Sequence, residues 1–304
     1  MTISYLLRRR DALRLFSLPA ASTACALSAP AVWARTAPKS PRIVSVNGSL
    51  TEVVYALGAE QQLVGTDTTS LFPAAALRTP KVGYMRALSA EGLLSLRPDA
   101  LIGTSEAGPA VVMDQVRSAG VQVELVEADH SWAEVQRKVA VVGRATGRSA
   151  QAAALQARLD AQWAEVLASV ARKSGRRPRA IFILSHSASP QVAGDKTAAH
   201  AMLRYAGLDN ALAGAGQAQP FSGYRPMTAE ALVAAAPDLI VTTTQGIEAS
   251  GGLEKFWSRP GLELTPAYQR RALVALDALY LIGFGPRLPL AVGELHQAAL
   301  KVTA

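Results

Sequence analysis

Gly83-Tyr84-Met85-Arg86-Ala87-Leu88-Ser89-Ala90-Glu91 is answered later in the chain by Gly223-Tyr224-Arg225-Pro226-Met227-Thr228-Ala229-Glu230. The match runs on. Leu93-Leu94 followed by Pro98-Asp99-Ala100-Leu101-Ile102 corresponds to Leu232-Val233 followed by Pro237-Asp238-Leu239-Ile240-Val241. Each copy reads as a glycine-led loop, a helix and a buried strand, so the chain holds two related halves with Arg86 and Arg225 in equivalent places. When copies of such a unit face each other, equivalent loops meet across one crevice at the carboxyl ends of the strands. Tyr84 and the two arginines are therefore expected to converge on one ligand.

Outward from this repeat, strands and helices alternate. Ile43-Val44-Ser45-Val46 is a short β-branched run bounded by turn residues, as in a covered parallel strand. Ser49 is expected to cap the next helix, with Glu52 completing a capping box and Gly58 ending it. Further strands are expected at 63–66, 100–103 and 121–126, with helices over 89–96 and 113–119 between them. Residues 150–173 lack Gly and Pro and are rich in strong helix formers. At 1.5 Å per residue, this helix of about 24 residues spans about 36 Å and ties the two halves stiffly. Its inward face is Leu155, Leu159, Trp163, Val166 and Val170. The pattern restarts with strand 180–184, helix 197–205, the loop 223–225, helix 229–235, strands 239–241 and 274–276, and a closing helix 288–300. The fold class is α/β: two Rossmann-like α/β lobes joined by one long helix, with a ligand cleft between the lobes. The expected divisions are a leader at 1–34, a first lobe at 35–148, the connecting helix at 149–175 and a second lobe at 176–304.

The leader combines Arg8-Arg9-Arg10, an apolar and small-residue run from Leu15 to Pro30, and Ala31-Val32-Trp33-Ala34 as a cleavage site, which reads as an export signal. Arg9-Arg10-Asp11-Ala12-Leu13-Arg14 also resembles the twin-arginine pattern, so the general secretory route and folded export both stand open. Cys25 is the only cysteine and lies inside this leader, which leaves the mature chain without disulfides, cysteine–zinc sites or thiolate iron ligands. Cleavage after Ala34 removes four arginines and one aspartate, lowering the net charge from +8 to +5. That balance serves solubility or the attraction of an anionic ligand. With no dense basic stripe interleaved with aromatics, nucleic acid is not an expected partner.

The chain resembles the periplasmic haem-binding proteins that supply bacterial haem importers of the ATP-binding-cassette type, within the wider class that binds vitamin B12, ferric siderophores and metal ions. The likeness rests on Val82 to Gly92, on Gly223-Tyr224-Arg225-Pro226 and on Leu281-Ile282-Gly283-Phe284-Gly285-Pro286-Arg287. It implies a monomeric periplasmic protein that carries ferric haem (ferric protoporphyrin IX) to an inner-membrane permease and its ATPase, and meets the membrane only through that transporter. It also implies that Tyr84 is the axial ligand of the haem iron. A ferric siderophore or vitamin B12 is the alternative cargo.

The chemistry of these residues suits that role. Ferric iron is a hard cation and phenolate a hard donor, and a nearby guanidinium favours the charged phenol. Arg86 and Arg225 are candidates both for steadying the phenolate and for forking onto the propionates, with the division between them open. Tyr224 either lines the cleft or supports Arg225. Met85, His130 and His186 are further cleft candidates, whereas His200 and His296 read as surface residues on helices. Transporter docking in the class uses one acidic residue from each lobe. Glu52 stands at the first-lobe place, with the capping box as its other role. The second lobe has Thr197-Ala198-Ala199-His200-Ala201 where an acid is expected, with Asp195 nearby. An enzyme built on Ser185-His186 or on the Tyr84-arginine group is the competing class, but the chain has no Gly-x-Ser-x-Gly elbow or Gly-rich phosphate loop in the expected place.

Overall fold

The computed structural model describes residues 40–173, 175–185, 189–213 and 221–303. The leader, with Cys25 and the twin-arginine motif, and His186 lie outside the described residues.

The first sheet collects β1 (Ile43–Val46), β2 (Leu63–Thr66), β3 (Ala100–Thr104) and β4 (Gln122–Val126), all parallel and in the order β2-β1-β3-β4. Helices α1 (Gly48–Ala56), α2 (Ala90–Ser95), α3 (Ala110–Ser118) and α4 (Trp132–Ala145) cover it. Successive strand residues face opposite ways. Ile43, Ile102 and Val126 accordingly pack with Val53, Val139 and Val142 of α1 and α4, while Val44, Val46 and Leu101 pack with Leu93 and Val116 of α2 and α3. The capping of α1 differs from the sequence expectation. Asn47 is the cap and its side chain accepts from the Ser49 amide at 2.9 Å, so Ser49 sits inside the first turn.

Helix α5 (Ser149–Ala171) runs against α4 on one side and the carboxyl-terminal helix on the other. Its buried stripe is Ala152, Leu155, Leu159 and Trp163, spaced to lie on one face. Trp163 stacks on Trp132 of α4 at 4.8 Å between centroids and meets Tyr205 edge-on at 4.9 Å, so aromatic packing through α5 links residues before and after it.

The second sheet contains β5 (Arg179–Leu184), β6 (Gln191–Ala193), β7 (Asp209–Asn210), β8 (Tyr224–Pro226), β9 (Leu239–Thr243) and β10 (Leu273–Leu276), in the order β10-β9-β5-β6-β8 with β7 beside the start of β5. Its helices are α6 (Ala198–Tyr205), α7 (Ala229–Ala235), α8 (Thr244–Ala249), α9 (Leu253–Trp257), α10 (Pro266–Gln269), α11 (Ala278–Ile282) and α12 (Leu288–Thr303). Here the expected repetition is partial. β6 and β8 run antiparallel to their neighbours, and the stretch expected as a 223–225 loop is strand β8. The turn glycines still correspond. Gly83 and Gly223 both have positive φ, 100° and 82°, which a side chain strains against. The Gly83 carbonyl accepts from the Thr68 amide at 2.9 Å and the Gly223 carbonyl from the Gly194 amide at 2.8 Å.

Polar contacts pin the two sheets' surroundings together. Arg287, at the start of α12, forks onto Glu52 of α1 at 2.6 and 2.8 Å. Glu52 is 4% exposed, and burial raises its pKa while Arg287 opposes that rise. Glu52, expected from the sequence as a transporter-docking residue, has its carboxylate facing inward and paired with Arg287. Lys138 of α4, 1% exposed, donates to the carbonyls of Gly283 (3.2 Å) and Phe284 (3.0 Å) and pairs with Glu134 at 2.6 Å.

Candidate ligand cleft

A cleft of about 570 Å³ opens at the carboxyl ends of the strands, a size usual for small-molecule sites. One wall carries Asn47, Met85, Arg86, Glu106 and His130; the other carries Leu184, Lys196, Ala198 and Tyr224. Leu279, Ile282 and Phe284 add an apolar surface, with the Lys138–Glu134 pair below. Phe284 is buried with φ 51° and packs 5.4 Å from the His130 ring.

Tyr84, 44% exposed, is not itself among the cleft-lining residues; it precedes the lining residues Met85 and Arg86 in a turn closed by the Ala87 amide on its carbonyl at 2.8 Å. That turn folds residue 86 back on residue 84, and Arg86 Nη1 donates to the Tyr84 Oη at 2.6 Å. The other end of the Arg86 fork pairs with Glu106. Partial burial works against the Arg86 charge, but its contacts with Tyr84 and Glu106 outweigh burial and raise its pKa. Met85, between them, is buried, and the Asn47 amide reaches its sulfur at 3.8 Å.

Tyr224 lines the cleft, as one of the two sequence readings has it. Burial pushes its phenol up to about 12, the Glu106 carboxylate adds to the rise, and the Ala199 backbone at the start of α6 pulls the other way. Arg225 does not join. Tyr224 and Arg225 are neighbours in an extended strand, opposite Ala193 and Val192, so they point to opposite faces. Arg225 lies over the Phe221 ring at 4.4 Å, outside the cleft lining. The expected convergence of two arginines is corrected to one, Arg86, because a strand separates in the second lobe what a turn brings together in the first.

The raised Tyr224 pKa has a measurable consequence. A phenol whose folded pKa lies above its ordinary 10 stabilises the fold fully below pH 10, and this contribution is lost as pH climbs through about 12. In an alkaline spectrophotometric titration, Tyr224→Phe should remove one of the two phenols, Tyr224 and Tyr280, that among the described residues ionise near 12. It should also flatten the loss of stability between pH 10 and 12. An unchanged late phase would contradict this placement of Tyr224.

His130 faces the cleft with φ 56°, and its amide donates to Glu134 Oε2 at 2.7 Å. The other histidines differ from expectation in part. His296 is a core residue at 5% exposure, its Nδ1 2.9 Å from the Ala206 carbonyl oxygen, because it falls one turn from Val292 on the inward face of α12. His200 is half-buried, 3.8 Å from Asp195. Ser185 is 2% exposed, out of a substrate's reach. Glu106, Glu134, Lys138 and Lys196 were not singled out from sequence. The Glu134–Lys138 spacing of four on a helix was the available signal for that pair, and Glu106 follows β3 at the edge where the binding loops gather.

A second hollow of about 580 Å³ lies at the opposite ends of the second sheet's strands, lined by Lys173, Arg176, Arg204 and Arg270 among others. Several of these cations sit at or just past the carboxyl ends of α5 and α6, where they offset the helix dipoles.

Residues 43–280 match the profile of the periplasmic binding protein family. The chain belongs to that family. This periplasmic binding protein is 30% identical over 267 residues to the uncharacterized ABC transporter substrate-binding lipoprotein YvrC of Bacillus subtilis (strain 168), covering 86% of this chain and 81% of the relative. It is 29% identical to the cobalamin-binding protein of Halobacterium salinarum over 66% of this chain, and spans about half of that relative, 53%. Among solved structures, it superposes with a TM-score of 0.81 on the periplasmic heme-binding protein BhuT in complex with two hemes, at 44% identity over 87% of this chain and 99% of that one. The periplasmic heme-binding protein RhuT from Roseiflexus sp. RS-1, in apo form, also gives 0.81, at 37% identity over 87% of this chain and 100% of that one. The fold is thus that of two-lobed periplasmic binding proteins. Among the described residues, no helix is long and apolar enough to cross a membrane.

Proposed function

We propose that this protein captures ferric haem in the interlobe cleft, with the Tyr84 phenolate as axial ligand, and delivers it to an inner-membrane ABC transporter. The observation that carries this reading is that Arg86, which lines the cleft, donates its guanidinium to the Tyr84 oxygen at 2.6 Å. Likeness to BhuT at 44% identity supports haem as the cargo, and YvrC's description supports a transporter partner. Residues 1–34 act as the export signal. The mature protein then comprises lobes 35–148 and 176–304 joined by the helix at 149–175. Binding and release, with no chemical turnover, are its whole task.

The residues divide the work. Iron(III) favours a hard anionic oxygen, and Arg86 places a fixed charge against that oxygen as it loses its proton. Glu106 holds the guanidinium in place from the other side. The same carboxylate helps keep Tyr224 protonated, so of the two echoed tyrosines the second serves as a hydrogen-bonding phenol. Leu279 and Ile282 meet the porphyrin face, with the buried Phe284 behind them.

Titration of the purified protein with hemin, followed by absorption, tests the proposal. A saturable shift to a high-spin ferric spectrum is expected. Cobalamin is the second reading, favoured by the Halobacterium salinarum relative. Binding of vitamin B12 with no spectral response to hemin would install it instead. Arg86→Gln should weaken hemin binding by about 10- to 100-fold, the usual cost of removing a group that orients a metal ligand. An unchanged affinity would remove Arg86 from the site.

A further inference from the structure

Among the described residues, the charges lining the cleft cancel in pairs, with one exception. Arg86 is joined to Glu106, and Lys138 to Glu134. Lys196 is left over: it lines the cleft, is exposed, and has no ion-pair partner among the described residues. Its backbone is held in a conformation that a lysine rarely adopts, φ 57°. The anchors on both sides explain how. Before it, the Asp195 amide donates to the Phe221 carbonyl at 2.7 Å and the Asp195 carbonyl accepts from Gly223 at 2.8 Å. After it, Thr197 caps α6 through the His200 amide at 3.0 Å. Left-handed backbone at a non-glycine residue is unfavourable and persists where the surroundings over-determine it, often at ligand sites.

We infer that Lys196 receives a carboxylate of the bound ligand, the place that sequence reasoning gave to Arg225. This rests on the haem reading and names the residue that recognises the propionate end. Ferric iron, the porphyrin dianion and one phenolate sum to neutrality, so the net charge of the bound complex resides on its propionates. Arg86 is already engaged with Tyr84 and Glu106, and Arg225 lies on Phe221. Among the described residues, the Lys196 ammonium, beside the positively polarised start of α6, is the uncommitted cation on the opposite wall. Neutral corrin ligands gain nothing from it, so Lys196 also selects for an acidic macrocycle.

The test titrates wild type, Lys196→Gln and Lys196→Arg with hemin and with hemin dimethyl ester in detergent. Glutamine suffers the same left-handed backbone as lysine, so the comparison isolates charge. Lys196→Gln should weaken hemin binding about five- to tenfold, Lys196→Arg should keep it within about twofold, and the ester should bind wild type and Lys196→Gln alike. Hemin affinity unchanged in Lys196→Gln, or an equal loss for the ester, overturns the assignment while leaving haem capture standing. Wild-type protein that ignores hemin altogether overturns both.

Discussion

Replacing Tyr84 by Phe should lower hemin affinity by at least ~100-fold, beyond the 10–100-fold typical of losing a group that merely supports a metal ligand, and should abolish the tyrosinate-type ferric spectrum. The variant removes a single oxygen. Tyr84 is 44% exposed and, among the described residues, its oxygen is held by Arg86, so the melting temperature should stay within a degree or two of wild type. Loss of binding with the fold intact would therefore report on ligation and not on folding. His130→Ala supplies the contrast. His130 faces the cleft, but its amide is committed to Glu134 and its ring to Phe284, so its removal should leave the spectrum in place. Retention of the wild-type spectrum in Tyr84→Phe, with its loss in His130→Ala, would reverse the assignment of the iron ligand.

The largest stability effect is expected from Lys138→Met. Lys138 is 1% exposed and satisfies Glu134 together with two carbonyls, Gly283 and Phe284, from the segment between α11 and α12. Breaking a buried pair from one side leaves an uncompensated charge, and such changes cost about 3–5 kcal/mol. For a protein of this size that corresponds to a fall in melting temperature on the order of 10 °C. The double variant Glu134→Gln/Lys138→Met should recover much of the loss, because a buried pair replaced as a whole costs far less than one broken. Calorimetry of the single and double variants checks both statements; a single variant as stable as wild type would mean that Lys138 is not the pin. The pin also matters for binding. A cleft held at fixed width before the ligand arrives spends less affinity on ordering itself, so Lys138→Met should weaken hemin binding while leaving its spectrum unchanged.

The sequence carried the elements well because most of its signals are local. β-branched runs gave β1 and β2 at their observed bounds, and the Gly- and Pro-free stretch gave α5 within two residues at either end. Errors arose where the deciding partner is distant or where a neighbouring residue competes. Glu52 has the spacing of a capping box, yet its partner Arg287 lies 235 residues away and no local pattern announces it. Asn47 and Ser49 are both good caps, and the side-chain bond from Asn47 decided between them. Arg225 matched Arg86 by alignment, but its place depends on whether the backbone turns or extends. That was settled by pairing with β6, a non-local event. His296 was legible and missed: its spacing from Val292 already put it on the buried side of α12. Lys196 carried no sequence signal, since its importance comes from the pairing of every other charge around it.

The crystal structure of the protein loaded with hemin tests the central claim most directly. The account predicts a porphyrin seated between the two walls, with the Tyr84 oxygen bound to iron, Arg86 still donating to that oxygen, and Leu279 and Ile282 against the macrocycle. Iron coordinated by His130 or Tyr224, or a porphyrin bound outside this cleft, would contradict it.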